Sequence, residues 1–379
     1  MPDVNGDEDP DASDVAPRRR GRVSTPTAAV IRSGREALSA EMALTLFRQM
    51  VRTRALEERS IKMSKSGEAF FWIGGPGEEA FNVCLGLQIL RGQGPAFDYL
   101  HLHYRNAGVM LALGMPMIDH TRQLAMRWTD KHSRGRNFVG HYCVPAWNVV
   151  PVTSVIEVQY SMAPGTALVQ KRHGGEGITV VVGGEAGSSE GDFETCLNWS
   201  TRPGRELPVL VVVTNNNWGI STDMRSVHAD RPIAERAAPF GMRAETVDGN
   251  DPIATWHAID RAMRYCRRER KPFLLEATVS RLHGHSSSSG AQRNWAESDP
   301  LALFEQKLID AGATDAAGVK TLRAEAKAEA DDAVVKTMAE DQPTREDVEA
   351  FTYAPSSVDA VYPSDYTGLP GAANSKVKV

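Results

Sequence analysis

Val180-Val-Val-Gly-Gly-Glu-Ala-Gly-Ser-Ser-Glu-Gly-Asp-Phe193 and Val211-Val-Val-Thr-Asn-Asn-Asn-Trp-Gly-Ile-Ser-Thr222 are the stretches on which the fold turns. Each begins as an unbroken β-branched run and passes into small and polar residues, the pattern of a strand buried on both faces that ends in a loop. Apolar runs at Ile178 to Val182, Leu207 to Val213 and Pro272 to Val279 read as three such strands. Helical stretches at Glu190 to Trp199 and Pro252 to Arg268 separate them. Strand, helix, strand, helix, strand predicts an α/β fold, a doubly wound, mostly parallel sheet with helices on both faces and ligands at the carboxyl ends of its strands.

Those ends carry the chemistry. The reading places Glu185 and Asn216 at the same edge of the sheet, so a carboxylate, an amide oxygen and the backbone carbonyl of Trp218 form a hard oxygen set. Mg²⁺ prefers such ligands and fills its remaining positions from phosphate oxygens. Gly183, Gly184, Ala186 and Gly187 are small enough to let a diphosphate approach the backbone, and the helix after them offers its N-terminal N–H groups.

Working outward, the chain has 379 residues, 41% hydrophobic and 24% charged, an ordinary globular composition with room for one large or two ordinary domains. Lys+Arg 43 against Asp+Glu 48 gives a net charge of -5, which excludes a global basic field for nucleic acid or an anionic membrane. An anionic ligand must be held by local groups. Cys84, Cys143, Cys196 and Cys266 show no metal-binding or disulfide spacing and read as reduced thiols of a cytoplasmic protein. No run of about 18 apolar residues is present, so no membrane span is expected. The acids Asp3, Asp7, Glu8, Asp9, Asp11 and Asp14 argue against a mitochondrial presequence.

The segment 1–38, acidic and then basic at Arg18, Arg19, Arg20 and Arg22, reads as a disordered arm. Ala43, Leu46, Phe47 and Met50 mark the buried face of a first helix starting near Ser39. The α/β domain covers 39–300. A helical C-terminal extension at 301–363 opens with Asp299-Pro300 as cap and first residue, continues through Leu301, Phe304 and Leu308, and includes a charged, Ala-rich helix at about 317–340. A flexible tail occupies 364–379.

The two opening stretches together resemble the thiamine-diphosphate motif, which begins Gly-Asp-Gly, here Gly184-Glu185-Ala186, and ends in a double Asn; within them stand Ser189-Glu-Gly-Asp-Phe193 and Asn215-Asn-Asn-Trp-Gly-Ile-Ser-Thr222. Their wording is similar to the alpha subunit of the decarboxylating component of 2-oxo acid dehydrogenase complexes. Further matches are Gly77-Glu-Glu-Ala80, His103-Tyr-Arg105, Arg134-Gly-Arg-Asn-Phe-Val-Gly-His141, Ser154-Val-Ile-Glu-Val-Gln-Tyr-Ser161 and Arg281-Leu-His-Gly-His-Ser286. The resemblance runs from about Leu44 to Tyr362 and implies a thiamine-diphosphate-binding fold.

It also implies roles. Glu185, Asn216 and the Trp218 carbonyl stand at the Mg²⁺ positions. Gly184, Glu185, Ala186 and Gly187 line the diphosphate turn, with Tyr104, Arg105 and Arg281 gripping phosphate. Ile156 matches the apolar wedge that bends the cofactor, with Ser154 beside it. His285 matches the histidine next to the thiazolium that assists acyl transfer, and the Ser286 loop, which is phosphorylatable in mitochondrial relatives, reads here as a cofactor-ordered loop. The implied partners are a beta subunit carrying the pyrimidine-binding half, in an α2β2 heterotetramer, and a lipoyl-bearing acyltransferase. The implied reaction is oxidative decarboxylation of a 2-oxo acid, with Glu at the metal position leaning toward a branched-chain acid such as 2-oxoisovalerate over pyruvate or acetoin. Three positions depart from the pattern: Ala186 replaces the motif's last Gly, Thr214 stands where relatives have Gln or Arg, and Tyr142 to Val150 matches no subfamily. A non-catalytic scaffold of the same fold is the competing reading, and retention of Glu185, Asn216, Arg105 and His285 argues against it. A dinucleotide-binding protein is disfavoured because GxGxxG is absent at the first strand turn.

Overall fold

The structure, a computed structural model, describes residues 30–350. Two short strands, β1 (Val30–Ser33) and β2 (Glu36–Ser39), form an antiparallel hairpin and lead into the long helix α1 (Ala40–Ser66). Then come α2 (Glu79–Gly86), β3 (Tyr99–His101), α3 (Ala107–Ala112), α4 (Met117–Leu124) and α5 (Val158–His173). The predicted alternation comes next: β4 (Thr179–Gly184), α6 (Gly191–Ser200), β5 (Val209–Asn215), β6 (Arg243–Asp248), α7 (Pro252–Glu269) and β7 (Phe273–Thr278). Three helices close the described chain, α8 (Pro300–Asp310), α9 (Ala316–Met338) and α10 (Arg345–Glu349).

The main sheet has the order β3-β4-β5-β7-β6 and every pairing in it is parallel. Alternate strand residues face opposite layers, as the two-residue period of a strand requires. Val180, Val182, Leu210, Val212 and Leu275 join the large core that contains α1, α2 and α7, whereas Val181, Val209, Val211, Val213 and Leu274 pack under α5 and α6. Both faces are covered, which is why these strands read as continuous apolar runs. This is the doubly wound α/β architecture the sequence predicts.

The helix starts are set by short-range chemistry. Ser39 accepts from the Met42 N–H at 3.2 Å, Asp251 caps α7 with Pro252 as its first residue, and Asp299 accepts from the Leu301 N–H at 3.1 Å ahead of α8. Gly67, at φ 78, ends α1 in the left-handed conformation.

One boundary differs from expectation. Residues 30–38, assigned by composition to a disordered arm, pair as the hairpin and bury Ile31 and Leu38 in the main core. Four-residue strands joined at Gly34-Arg35 are too short to leave a periodic signal. The rest of the expected arm and the chain beyond residue 350 lie outside the described residues. β3 and β6 likewise go beyond the sequence pattern. β3 has three residues, and β6 is an edge strand with mostly polar, exposed side chains. No helix among the described residues is long and apolar enough to cross a membrane.

Candidate active site

A cavity of about 340 Å³ opens at the carboxyl ends of β3, β4 and β5. Tyr104, Arg105, Ser154, Ile156, Gly184, Glu185, Ala186, Gly187, Asn216, Trp218 and His285 all line it, so eleven of the twelve residues singled out from sequence meet at one place. The twelfth, Arg281, stands outside. It lines the neighbouring depression on the other side of Trp218, where its guanidinium donates to the carbonyl of Gly219 at 2.7 Å and to that of Trp218 at 3.4 Å.

Glu185 leaves the end of β4 and is 1% exposed. Its Oε2 accepts from the Asn216 N–H at 3.2 Å, which ties together the ends of β4 and β5. Its Oε1 is buried and has no hydrogen-bond partner among the described residues. Burial pushes the carboxyl above the ordinary range, with the Asn216 N–H and Arg105 pulling the other way. The Asn216 side-chain oxygen accepts from the Trp218 N–H at 3.2 Å, across an Asn217 held at φ 64. Asn tolerates that left-handed turn, so the run of three Asn suits the geometry as well as the chemistry.

An unpartnered buried carboxylate oxygen beside an amide oxygen and a backbone carbonyl fits a divalent cation of the Mg²⁺ type. No group of three or more His, Cys, Asp or Glu among the described residues could hold a metal by itself. Such an ion would therefore have Glu185 as its one charged protein ligand and fill its remaining positions from a bound phosphate.

Facing this corner is Arg105, 4% exposed at the end of the β3 loop. Its Nη1 donates to the Gly74 carbonyl, and its Nη2 to His285 Nδ1 at 3.0 Å and to the His285 carbonyl at 3.4 Å. Arginine has no acceptor, so Nδ1 of His285 accepts and the neutral ring carries its hydrogen on Nε2. Burial and the charges of Arg105 and Arg281 hold His285 down to about 3. The ring is therefore neutral across the physiological range.

Several groups in the cavity carry no assignment from sequence. His141 lines it, and its Nε2 takes the Ser154 hydroxyl at 2.8 Å while Nδ1 donates to the carbonyls of Phe138 and Val139. His103 lies against the Tyr104 ring at 3.8 Å and is held well below the ordinary histidine range by burial and the nearby Arg105. Phe71, Ile73, Phe138 and Ile220 make the wall largely apolar. Two fully buried carboxyls stand behind Arg105. Glu57, pushed up to about 7 by burial, accepts from Trp72 Nε1 at 2.9 Å and from the Gly75 N–H at 3.2 Å. Glu78 is pushed up to about 8, also by burial, 4.0 Å from Arg105 Nε, and neither of its oxygens has a hydrogen-bond partner among the described residues. His103, His141 and Glu78 lie within the matched motifs. Nothing in their spacing marks them as cavity or buried groups.

Comparison with known proteins gives the family of the chain. The family described as dehydrogenase E1 component matches residues 47–346. The chain is 31% identical over 283 residues to the 2-oxoisovalerate dehydrogenase subunit alpha of Bacillus subtilis (strain 168), covering 73% of this chain and 84% of that one. It is 29% identical over 256 residues to the mitochondrial 2-oxoisovalerate dehydrogenase subunit alpha 2 of Arabidopsis thaliana, covering 68% of this chain but only 52% of the plant protein. Against the pyruvate dehydrogenase E1 component subunit alpha of Staphylococcus aureus (strain Mu50 / ATCC 700699) the identity is 26% over 284 residues, covering 73% and 72%.

Proposed function

Since this chain belongs to the dehydrogenase E1 component family and is an alpha subunit of the 2-oxo acid dehydrogenase type, we propose that its cavity seats thiamine diphosphate with Mg²⁺ and serves the oxidative decarboxylation of a branched-chain 2-oxo acid. The observation that carries the reading is the meeting of Glu185, with its unpartnered Oε1, and Asn216, Arg105 and His285 around one cavity. When bound, thiamine diphosphate supplies an electron sink for loss of CO₂.

Glu185, the Asn216 side chain and the Trp218 carbonyl hold the Mg²⁺. Tyr104 and Arg105 take the diphosphate. Arg281 contributes positive charge from behind Trp218. A chain with net charge -5 thus answers an anionic cofactor locally. Ile156, 51% exposed on the cavity wall, is the apolar wedge. Neutral His285 offers its Nε2 hydrogen at the reacting end and takes a proton back there, while Arg105 fixes the ring through Nδ1. The apolar wall of Phe71, Phe138 and Ile220 excludes water and suits an aliphatic side chain.

The substrate reading favours a branched-chain acid such as 2-oxoisovalerate, supported by the identity to the Bacillus subunit and by that wall; pyruvate or acetoin is the alternative. The alpha subunit requires a beta subunit, in an α2β2 heterotetramer in the cytoplasm, and a lipoyl-bearing acyltransferase to receive the acyl group. The test is coexpression with the beta subunit, titration of thiamine diphosphate and Mg²⁺ by calorimetry, CO₂ release from 2-oxoisovalerate, pyruvate and 2-oxoglutarate, and acetaldehyde release from acetoin. Tight Mg²⁺-dependent binding and the highest kcat/KM on 2-oxoisovalerate are expected. An assembled complex that fails to bind the cofactor overturns the reading, and a preference for pyruvate or acetoin moves the substrate assignment to that compound.

A further inference from the structure

Glu157 lines the same cavity, yet neither cofactor binding nor proton transfer as proposed gives it a role. It comes directly after Ile156 and caps α5, at φ 62 and ψ 5, in the left-handed region where glycine is at ease and a side chain is strained. The side chain is 3% exposed. Its Oε1 accepts from the Gly184 N–H at 3.2 Å, and its Oε2 accepts from Gln159 Nε2 at 3.4 Å. Gln159 in turn donates to the Val182 carbonyl at 3.1 Å. The carboxyl lies so close under the β4 turn that a methyl group on either Gly183 or Gly187 would run into it.

This placement has two consequences. The left-handed backbone turns the chain from the Ser154–Ile156 segment into α5, and so sets where Ile156 projects. The carboxyl fills the hollow beneath Gly183–Gly187 and holds the Gly184 N–H, and so sets the height of the turn that carries Glu185. A strained backbone at a functional site persists only where surrounding contacts over-determine it. Here the contacts that do so are made by the residue's own side chain.

The geometry points to Glu157 as a positioning residue that joins the two halves of the cofactor seat, the turn at Gly183–Gly187 and the wedge at Ile156, through one side chain and one backbone turn. The inference rests on the proposed binding of thiamine diphosphate and concerns reach and hydrogen bonding, not contact with the reacting atoms.

Three variants in the coexpressed complex test it, with the dissociation constant of thiamine diphosphate in the presence of Mg²⁺ and the Tm of the cofactor-free complex as readouts. Glu157→Gln keeps length and an acceptor for the Gly184 N–H, and should bind within about 3-fold of the parent. Glu157→Asp keeps the acid and tolerates the left-handed turn but falls a methylene short of Gly184, so binding should weaken by about 10-fold. Glu157→Gly relieves the backbone and empties the hollow, so binding should weaken at least as much while Tm holds or rises. A residue with only a stabilising role would lower Tm and leave the dissociation constant unchanged. Undiminished binding by Glu157→Gly, or equal losses in Gln and Asp, overturns the inference alone. Failure of the parent complex to bind overturns the functional reading and the inference with it.

Discussion

Glu78 and Glu79 are neighbours in sequence, both buried to 1% or less, and they are used in opposite ways. Glu79 is fully engaged: Oε1 takes Arg54 Nε at 2.5 Å, and Oε2 takes the Gly77 N–H at 2.8 Å. Arg54 continues to Asp299 through two bonds of 2.9 and 3.0 Å, and Arg293 closes on Asp299 at 2.9 Å. This network joins α1, the start of α2, the cap of α8 and the chain just past the His285 loop. Glu78 points the other way, toward Arg105, with neither oxygen hydrogen-bonded among the described residues. Burial alone therefore does not distinguish a structural charge from a functional one. In this pair satisfaction does: the fold completes the first cluster from its own groups and leaves oxygens open in the second, on Glu78 and on Glu185.

The sharpest way to break this contrast is to remove a member of the satisfied cluster. Arg54→Met strands Glu79 and one face of Asp299 in the interior, and removing one partner of a buried pair costs about 3–5 kcal/mol because the other charge remains. Denaturant unfolding of the complex should show a loss of that order. A loss under about 1 kcal/mol would mean that the network relaxes into water and that its completeness is not what holds these helices.

Removing a member of the open cluster should do the reverse. Glu185→Ala takes away a buried carboxylate with one unpartnered oxygen but strands the Asn216 N–H, so the cofactor-free complex should lose no more than about 1–3 kcal/mol, less than Arg54→Met. Affinity for Mg²⁺ and thiamine diphosphate should fall by about 100-fold, at or beyond the upper end of what losing even an outer partner costs a bound metal. Calorimetry and thermal unfolding on the same sample decide it. A large drop in Tm with cofactor affinity intact would place Glu185 in the structural class beside Glu79.

The same contrast explains what is readable in the sequence. β4, β5 and β7 are legible because a strand buried on both faces must be apolar at every position, and the cap at Asp299 because a capping side chain acts within three residues. Glu185, Asn216 and Trp218 come with those strands, since a parallel sheet brings its carboxyl ends together. Tyr104 and Arg105 come only through resemblance, because the three-residue β3 that positions them leaves no pattern. Resemblance puts Arg281 at the phosphate, whereas it stands behind Trp218, where the carbonyl of Gly219 takes its guanidinium. The difference between Glu78 and Glu79 is not legible. Which of two adjacent acids meets Arg54 and which meets Arg105 is decided by how α1 and the β3 loop pack around the start of α2, and no local rule carries that information.

The most gradual effect expected is also the one that tests the open cluster without touching a metal ligand. Burial, helped by the negative charge of Glu185 and opposed by Arg105, holds Glu78 up to about 8 in the folded chain, against an ordinary carboxyl near 4.5. The folded state therefore keeps a proton that the unfolded chain gives up above about pH 4.5, and unfolding releases it anywhere between those values. Stability from this group is complete below the unfolded value and declines as pH rises toward the folded one. Glu78→Gln has nearly the same shape as the protonated acid and cannot titrate. Its Tm should match the parent near pH 4.5, gain on it steadily as pH increases between those two values, and level off above about pH 8. A gap that shrinks with rising pH would mean that Glu78 is ionised in the folded chain and paired with Arg105, and the open cluster would then be a second closed one.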